Sequence, residues 1–402
     1  MLQNLTELGP ALADEPVFSM RSAGQLNALV SYSSEEMKKP AAEQYRLLVA
    51  RPVERTDLSS ILEIARHVNL ASMRAETEKN QTYIEQSIRT LAGNLTWQQG
   101  LLFLGVDLFP LDGGPCELAG SIKLQTGWGG HWRKKKHDRF FNFPGLRTWA
   151  EHEYLTYQPN DEDEHTLELA GLSVLPSHQG KKVSRFLAQA WALFVLVYRE
   201  ELQRRIGRIA YLYANLLTAD ENGKYPFYEQ VVKHLFGGLD YDTVDTYRYS
   251  RCGARSPILD EFLDGRGDQP RASLLTHLLP EAVRANLGKV RDETIGCQKN
   301  IERLGFQRAE KYDVLDGGQY FENTLSRLDR GTERGEHLVR RVRDSAIGPD
   351  AVRLTLATAG RPMSDFRCAR VRGRIVGDEL LLGEQTYDEL RMQHRERVIA
   401  LS

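Results

Sequence analysis

The chain has 402 residues, 41% of them hydrophobic and 27% charged, with a formal net charge of −2. This is a globular composition with core for about two to three domains, and the near-neutral charge excludes a chain-wide basic field for nucleic acid or anionic membrane. Cys116, Cys252, Cys297 and Cys368 are scattered with no CxxC pair, which argues against a disulfide scaffold or structural zinc and for a reducing, cytoplasmic setting. The stretch MLQNLTELGPALADEP has no basic segment followed by an apolar one. No run reaches about 18 apolar residues, so neither a secretory signal nor a membrane span is expected.

In chain order, residues 1–46 are polar with Gly, Pro and Ser breaks, and read as an extension. Leu47 to Arg51 reads as a strand. A helix follows, with Asp57 as N-cap or first-turn acid and Leu58, Ile61, Leu62 and Ala65 as its apolar face. A second helix, Thr82 to Ala92, precedes a strand at Leu101–Asp107, the loop PLDGGPCE and a partner strand at Leu118–Gln125. The segment GWGGHWRKKKHDRFFNFPGLRTW is basic and aromatic. It reads as a solvated loop anchored by a few rings, or as one touching phosphate or nucleic acid, since Lys and Arg neutralise phosphate and rings stack on bases.

QPNDEDEHT reads as an acidic turn. Strand Thr166–Val174, helix Val183–Arg199, strand Ile206–Leu216 and helix Phe227–Phe236 then alternate, which predicts an α/β (α+β) domain with a mixed sheet flanked by helices. Ser256–Leu287 reads as helical pieces, IGCQKNIERLGF as a helix closed by Gly305, and YDVLDGGQYFE as strand, turn and strand. From about 335 the runs VRLTLAT, ARVRGRIVG, ELLLGEQTYDEL and VIALS predict a small β-rich appendage. The expected organisation is an extension at 1–46, an α/β domain at 47–250, a helical block with the DGG turn at 251–330, and a β-rich region at 331–402.

The stretch ELAGLSVLPSHQGKKVSRFLAQAWA ends an apolar strand and opens a helix through a short polar loop. A helix start presents free N–H groups and the positive end of its dipole, so it receives anions readily. Close approach of a pyrophosphate calls for glycine in the loop, and here Gly180 alone supplies it. A phosphate cradle at Gln179, Gly180, Lys181, Lys182, Val183 and Ser184 and a plain strand-to-helix turn with solvated lysines both fit.

In context the segment resembles the CoA-binding strand, loop and helix of the GNAT acyltransferase superfamily, whose pattern V-x-P-x-x-Q/R-x-x-G-x-G/A wraps a pyrophosphate. Val174, Pro176 and Gln179 match it, while Lys182 and Ser184 depart from its small residues. RPVERTDLSSILEIA, ELAGLSVLPSHQGKKVSRF, ENGKYPFYEQVVKHLF, NIERLGFQRAEKYDVLDGGQYFE and LLLGEQTYDELRMQHRERVIAL resemble, in the same order, segments of the arginine N-succinyltransferase family. The resemblance covers residues 47–402, including a small C-terminal β-rich region, and identifies a divergent member. It implies a GNAT-like domain followed by a second GNAT-like or helical block that completes the acceptor side. It also implies transfer of a succinyl group from succinyl-CoA, as co-substrate, to the α-amine of arginine or a related amino acid. The backbone at Leu172 would lie beside the thioester.

The departures fall on the acceptor side. Lys289-Val290-Arg291-Asp292 stands where the family has Q-V-H-P, so Arg291 replaces its proton-donating histidine. A guanidinium, with a pKa above about 12, binds carboxylates or oxyanions but does not cycle protons near neutral pH. Leu70-Ala71-Ser72-Met73-Arg74 replaces L-T-S-L-P, and Asp316-Gly317-Gly318-Gln319 replaces D-G-G-P.

Amine attack on a thioester needs a base, an oxyanion donor and an acid near sulfur. Glu168, at the start of the central strand, is the candidate base, against a solvated strand-end carboxylate. Tyr228 stands where many GNAT enzymes place a tyrosine acid, with Tyr225 as alternate; otherwise its ring packs. His277 matches a family histidine, against a satisfied core residue, and His234 is a weaker case of the same kind. His178 flanks the loop within reach of phosphate. Cys252 and Cys297 have no His partner, and no cluster has metal-ligand spacing, so no metal is expected.

Two further readings compete. One is acyl transfer from an aminoacyl-tRNA or carrier protein held through 131–139. The other is a non-catalytic partner subunit or sensor that has lost the histidine. A homo- or hetero-oligomer with no membrane partner is expected.

Overall fold

The computed structural model describes residues 45–401 apart from 69–72, 95–99, 112, 127–129, 144–145, 160–164, 221–223, 250–262, 265–270 and 333, and the backbone alone within 137–151 and 246–249. The extension up to residue 44, the acidic turn, Cys252 and the Leu70–Ser72 departure therefore lie outside the described residues.

Tyr45–Ser402 is one compact unit, so the regions drawn at 47–250, 251–330 and 331–402 share a single framework. Strand β1 (Tyr45–Pro52) leads into a short turn and α1 (Leu58–Val68). Asp57 acts there as a first-turn acid: its carboxylate accepts from the Glu54 N–H at 2.8 Å and from Arg51 Nη1 at 2.7 Å. α1 buries Ile61, Ile64 and Ala65, so Ile64 takes the place expected for Leu62. α2 (Thr77–Leu91) begins five residues before the predicted Thr82. The hairpin of β2 (Leu101–Pro110) and β3 (Glu117–Thr126) has the expected pairing.

The basic, aromatic segment is not a loop. It forms β4 (His131–Phe143) and, with β5 (Leu146–Gln158), a long antiparallel hairpin. Trp132 is buried with Leu155 and Tyr157, and its indole N–H donates to the Val314 carbonyl at 3.1 Å. Lys134 and Lys136 both pair with Glu153, at 2.8 and 3.3 Å. Cross-strand pairing and a buried ring outweigh the loop-like charge density of this run.

β6 (His165–Val174) is followed by α3 (Val183–Val197), α4 (Arg199–Ile206) and β7 (Ile209–Leu216), a parallel strand reached by crossover, as parallel pairs require. α3 is apolar on nearly every face, the signature of a helix buried on all sides. Phe186, Leu187, Trp191, Leu193 and Phe194 make it the axis of the largest core cluster.

Further on, Tyr228–Val232 and Lys233–Leu235 form a helical segment, followed by α5 (Tyr241–Tyr249). Of the stretch expected to be helical, Ser273–Leu275 is instead a strand, β8, paired with β5, and Glu281–Asn286 is helix α6. α7 (Ile295–Arg303), β9 (Gln307–Tyr312), β10 (Gln319–Asn323) and α8 (Leu325–Arg330) complete this part.

The C-terminal strands are β11 (Arg334–Val342), β12 (Val352–Thr358), β13 (Cys368–Val376), β14 (Glu379–Gly383) and β15 (Arg397–Leu401), with α9 (Glu384–Glu389) where strand had been expected to continue past Gly383. Their pairings run β11–β15–β12–β13–β14–β11, so they close on themselves around Val339, Leu354, Leu356, Val371, Leu380 and Val398. Closure removes the exposed edges that a small open sheet would present. β13 also pairs with β1, joining this barrel to the main order β1-β2-β3-β6-β7-β10-β9-β4-β5-β8. On β1, Leu47 and Val49 face the barrel core while Leu48 and Ala50 face the α3 core.

Candidate active site

The parallel register of β6 and β7 runs from His165↔Ile209 to Leu169↔Ala214 and stops. β6 continues as partner of β3 to Val174, and β7 continues as partner of β10 to Leu216. Beyond Leu169 the strands therefore diverge, and the β6 edge at Leu172–Val174 faces the gap with ladder groups that no strand takes up. A register irregularity in β6 sits at the same place, where Gly171 adopts φ 56°. Only glycine takes this conformation freely, and a Cβ there would stand 3.4 Å from the buried stem of Lys123.

β6 leads directly into the loop. Gln179 and Gly180 are exposed, Gly180 has φ 78°, and a Cβ on Gly180 would meet nothing within 4 Å. Lys182 is left-handed, φ 63°, at the N-cap of α3, and its side chain makes no cap. Val183 is buried, while the Ser184 hydroxyl accepts from Asn300 Nδ2 of α7 at 3.3 Å. Ser184 therefore keeps both its O–H and its backbone N–H to offer an anion.

His178 turns inward rather than toward solvent phosphate. It is 3% exposed, its Nε2 lies 2.8 Å from Glu117 Oε1, and its Nδ1 lies 3.3 Å from Lys181 Nζ. Burial lowers its pKa against the raising effect of Glu117, so the ring is neutral at pH 7. The ring lies between Glu117 of β3 and Lys181 of the loop, in close approach to both, which holds the loop to β3.

Relief of the left-handed strain at Lys182 and the greater unfolded-state freedom of glycine are each worth about 1 kcal/mol. Lys182→Gly is therefore expected to leave stability within about 0.5 kcal/mol. Loss of the charge should weaken inorganic pyrophosphate binding at the start of α3 about three- to tenfold. Urea denaturation and calorimetric titration with pyrophosphate check the two halves; tighter pyrophosphate binding would contradict a charge-assisted anion seat there.

On the face of the sheet beside the gap, Glu168 stands between Gln125 of β3 and Tyr213 of β7, and Tyr213 stands opposite Glu322 of β10. Glu168 is 3% exposed. Lys311 of β9 donates to the Tyr213 hydroxyl at 2.7 Å and pairs with Glu322 at 2.5 Å. The Tyr320 ring meets Tyr213 edge-on at 6.0 Å and lies 6.0 Å from His131. Sequence reasoning missed Tyr213, Lys311, Tyr320 and Glu322. The available signal was the alternation in YLYANL and QYFEN, which puts one polar side chain in two onto a common face.

Burial, helped by Lys311 and Arg133, presses the His131 pKa from 6.5 to about 3. An unfolded chain protonates this ring at higher pH than the folded one. The stabilisation is therefore complete above pH 6.5 and is lost on acidification toward pH 3, about 1.4 kcal/mol for each pH unit. Denaturation midpoints should fall across that window, and His131→Asn should flatten the fall.

The Tyr228 hydroxyl donates to the Leu239 carbonyl at 2.9 Å within a separate core cluster, and burial first, then nearby acids, pushes its pKa up to about 12. Its ring packs; Tyr213 is the tyrosine at the strand opening. His277 is exposed on a short turn after β8, its ring 5.6 Å from His152, so it is not on an apolar helix face. His234 lies on an exposed helical turn. Cys297 is desolvated and its pKa is pushed up to about 12, an inert thiol.

Arg291 sits just past β7: Val290 bridges Thr218, and the Arg291 N–H donates to the Leu217 carbonyl at 3.4 Å. Its guanidinium pairs with Asp220 at 2.9 Å and lies 3.6 Å from Glu293. Asp316 accepts from the Thr218 and Gly318 N–H groups, and Asp313 accepts from Leu315 N–H and from Asn215 Nδ2. These acids shape the Asp313–Gly318 turn, which holds the Arg291 segment against the strand end. Tyr225 packs there on Tyr241, centroids 4.5 Å apart, and burial followed by Asp316 raises its pKa.

A family model described as Arginine N-succinyltransferase beta subunit matches residues 48–330, more than half of the chain. The arginine N-succinyltransferase of Yersinia enterocolitica is 25% identical over 303 residues, 75% of this chain and 79% of that protein. That of Citrobacter koseri is 24% identical over 293 residues, 70% and 77%. Among solved structures, arginine/ornithine succinyltransferase subunit AI from Pseudomonas aeruginosa superposes with TM-score 0.69 at 16% identity, covering 89% of this chain and 99% of that one. That likeness shows the fold, a GNAT-like mixed sheet flanked by helices. The chain belongs to the arginine N-succinyltransferase beta subunit family.

Proposed function

We propose that this acyltransferase moves an acyl group from an acyl-CoA, succinyl-CoA in the simplest case, to the α-amine of arginine or a related amino acid. One observation carries the reading: the β6–β7 divergence runs without a break into the Gly180 loop and the start of α3. The β6 edge at Leu172 and Val174 offers N–H and C=O groups to the amides of a pantetheine arm and to the thioester. Gln179, Gly180, Lys181, Lys182 and the N–H groups of Val183 and Ser184 receive the pyrophosphate, with the two lysines adding charge where the family has small residues.

In the reaction, Glu168 accepts a proton from the acceptor ammonium through water. The freed amine attacks the thioester carbon, and a β6 backbone N–H holds the oxyanion. The C–S bond then breaks, the thiolate takes the Tyr213 hydroxyl proton, and the proton shed by the new amide nitrogen restores the phenol, with the Lys311 ammonium beside that oxygen stabilising the transient charge. Arg291 takes no part in proton transfer; paired with Asp220, it is placed to orient the acceptor's charged groups.

Titration of the protein with CoA, followed by an acylation assay across amino acids, tests the reading. Saturable CoA binding and acylation favouring arginine or ornithine are expected. No CoA binding at about millimolar ligand, well above the range of ordinary substrate sites, would overturn it.

A further inference from the structure

The outer face of the C-terminal barrel carries a row of arginines that this reaction does not use. Leu354, Leu356, Ala369 and Val371 point into the barrel, so the alternate residues of β12 and β13 point out. Ala357 and Cys368 pack into the α3 core, and Thr355 Oγ1 donates to Gln189 Oε1 of α3 at 3.2 Å. Next along the same face stand Arg370, opposite Thr355, and the directly opposed pair Arg353 and Arg372. Like charges face to face across a ladder repel. Desolvation, then Arg370 and Arg372, lowers the Arg353 pKa. Neither Arg370 nor Arg372 forms an ion pair among the described residues.

Two buried polar atoms, Arg370 Nε in this row and the hydroxyl of Tyr45, a residue only 2% exposed, also lack a partner among the described residues. They are close enough for the Arg370 charge to act on the phenol. Buried polar groups are rarely left unpaired in a working protein, so an orphaned pair beside repelling cations marks a place for an anion.

The row lies at the loop end of α3. The far end of α3 packs against the residues between β12 and β13: the Tyr198 hydroxyl donates to the Pro362 carbonyl at 3.3 Å, and Phe194 meets Phe366 at 5.1 Å. β12 therefore runs alongside α3 in the same sense, with Arg353 toward the helix start. Arg353 is about 7 Å up the strand from Thr355, and Arg185 is about one helical turn up α3 from Gln189 on the same flank.

We propose that Arg353, Arg370 and Arg372 with Tyr45 form the seat of the 3′-phosphate of coenzyme A. This rests on the acyl-CoA reading of the loop. With the pyrophosphate at the start of α3, the ribose crosses that flank and its phosphomonoester reaches the row. The dianion sits against the Arg370 and Arg372 guanidinium groups and accepts hydrogen bonds from Arg370 Nε and the Tyr45 hydroxyl. A phosphopantetheine arm on a carrier protein has no 3′-phosphate, so this seat selects free acyl-CoA over a carrier-bound donor.

The test is calorimetric titration of the full chain with CoA and with 3′-dephospho-CoA, repeated on the double variant Arg370→Gln, Arg372→Gln. The native protein should bind CoA about ten- to a hundredfold more tightly than dephospho-CoA, the range of one or two charge-assisted contacts, and the variant should bind both at the weaker level. Equal binding of the two ligands by the native protein overturns the proposal and leaves the acyl-CoA reading standing. So does a variant that keeps the preference for CoA. Absence of binding by either ligand overturns both readings together.

Discussion

Replacing Glu168 by glutamine should lower kcat/KM for amine acylation by about 10²- to 10⁴-fold, the range of a positioned general base, and leave CoA affinity within about twofold. The carboxylate is buried on β6, one residue before the strands part, in register with Tyr213. In the proposed reading CoA lies further on, against the strand backbone and the loop, neither of which uses this side chain, so binding and chemistry separate. Glutamine keeps the shape and one accepting oxygen while removing the charge and the basicity. The acidic limb of the pH–rate profile should therefore disappear, with activity at high pH reduced but less pH-dependent. Loss of CoA affinity with an unchanged turnover number would show instead that Glu168 only shapes the strand.

The second large effect is on stability. Trp191 is fully buried in the middle of α3, its ring 6.1 Å from Phe306. Truncation to alanine removes the largest side chain of the helix and leaves a cavity between the sheet and α7. The expected loss is about 3–5 kcal/mol, a large share of the 5–15 kcal/mol typical of a folded domain. Because α3 carries the proposed pyrophosphate seat at one end and the barrel contact at the other, CoA affinity should fall with it. The indole N–H has no partner, so Trp191→Phe forfeits area but no hydrogen bond and should cost less than half as much. Chemical denaturation distinguishes the two variants; equal losses would mean that the site relaxes around the gap.

The donor side of the molecule was readable because its signals are local. β6 is an uninterrupted apolar run, Pro176 and Gly180 punctuate the loop, and α3 is apolar all round. These features depend on neighbours a few residues away, and strand, loop and helix fell within about three residues of their predicted limits. The acceptor face depends on sheet order instead. Tyr213 and Lys311 are 98 positions apart and meet because β10 and β9 follow β7 in the sheet, an arrangement that no window of sequence contains.

The β4–β5 hairpin was hidden by its lysines, which look like loop residues until Glu153 is seen opposite them. RGEHLVRRV in β11 was concealed in the same way: its charges face outward and its strand character comes from closing the barrel. The replacement of a family histidine by Arg291 was legible, but its pairing with Asp220 was not, because those residues are joined by a bridge between Thr218 and Val290.

The central claim is that the β6 edge and the loop at the start of α3 hold an acyl-CoA. Amide hydrogen exchange on the intact protein with and without saturating CoA tests this most directly, since the groups assigned to the ligand are backbone N–H. Added CoA should slow exchange in 171–174 and 180–185, with smaller protection at 370–373 and little change in β4 and β5. Unchanged exchange in 171–185 at saturating CoA, or protection centred on 131–139, would contradict the account.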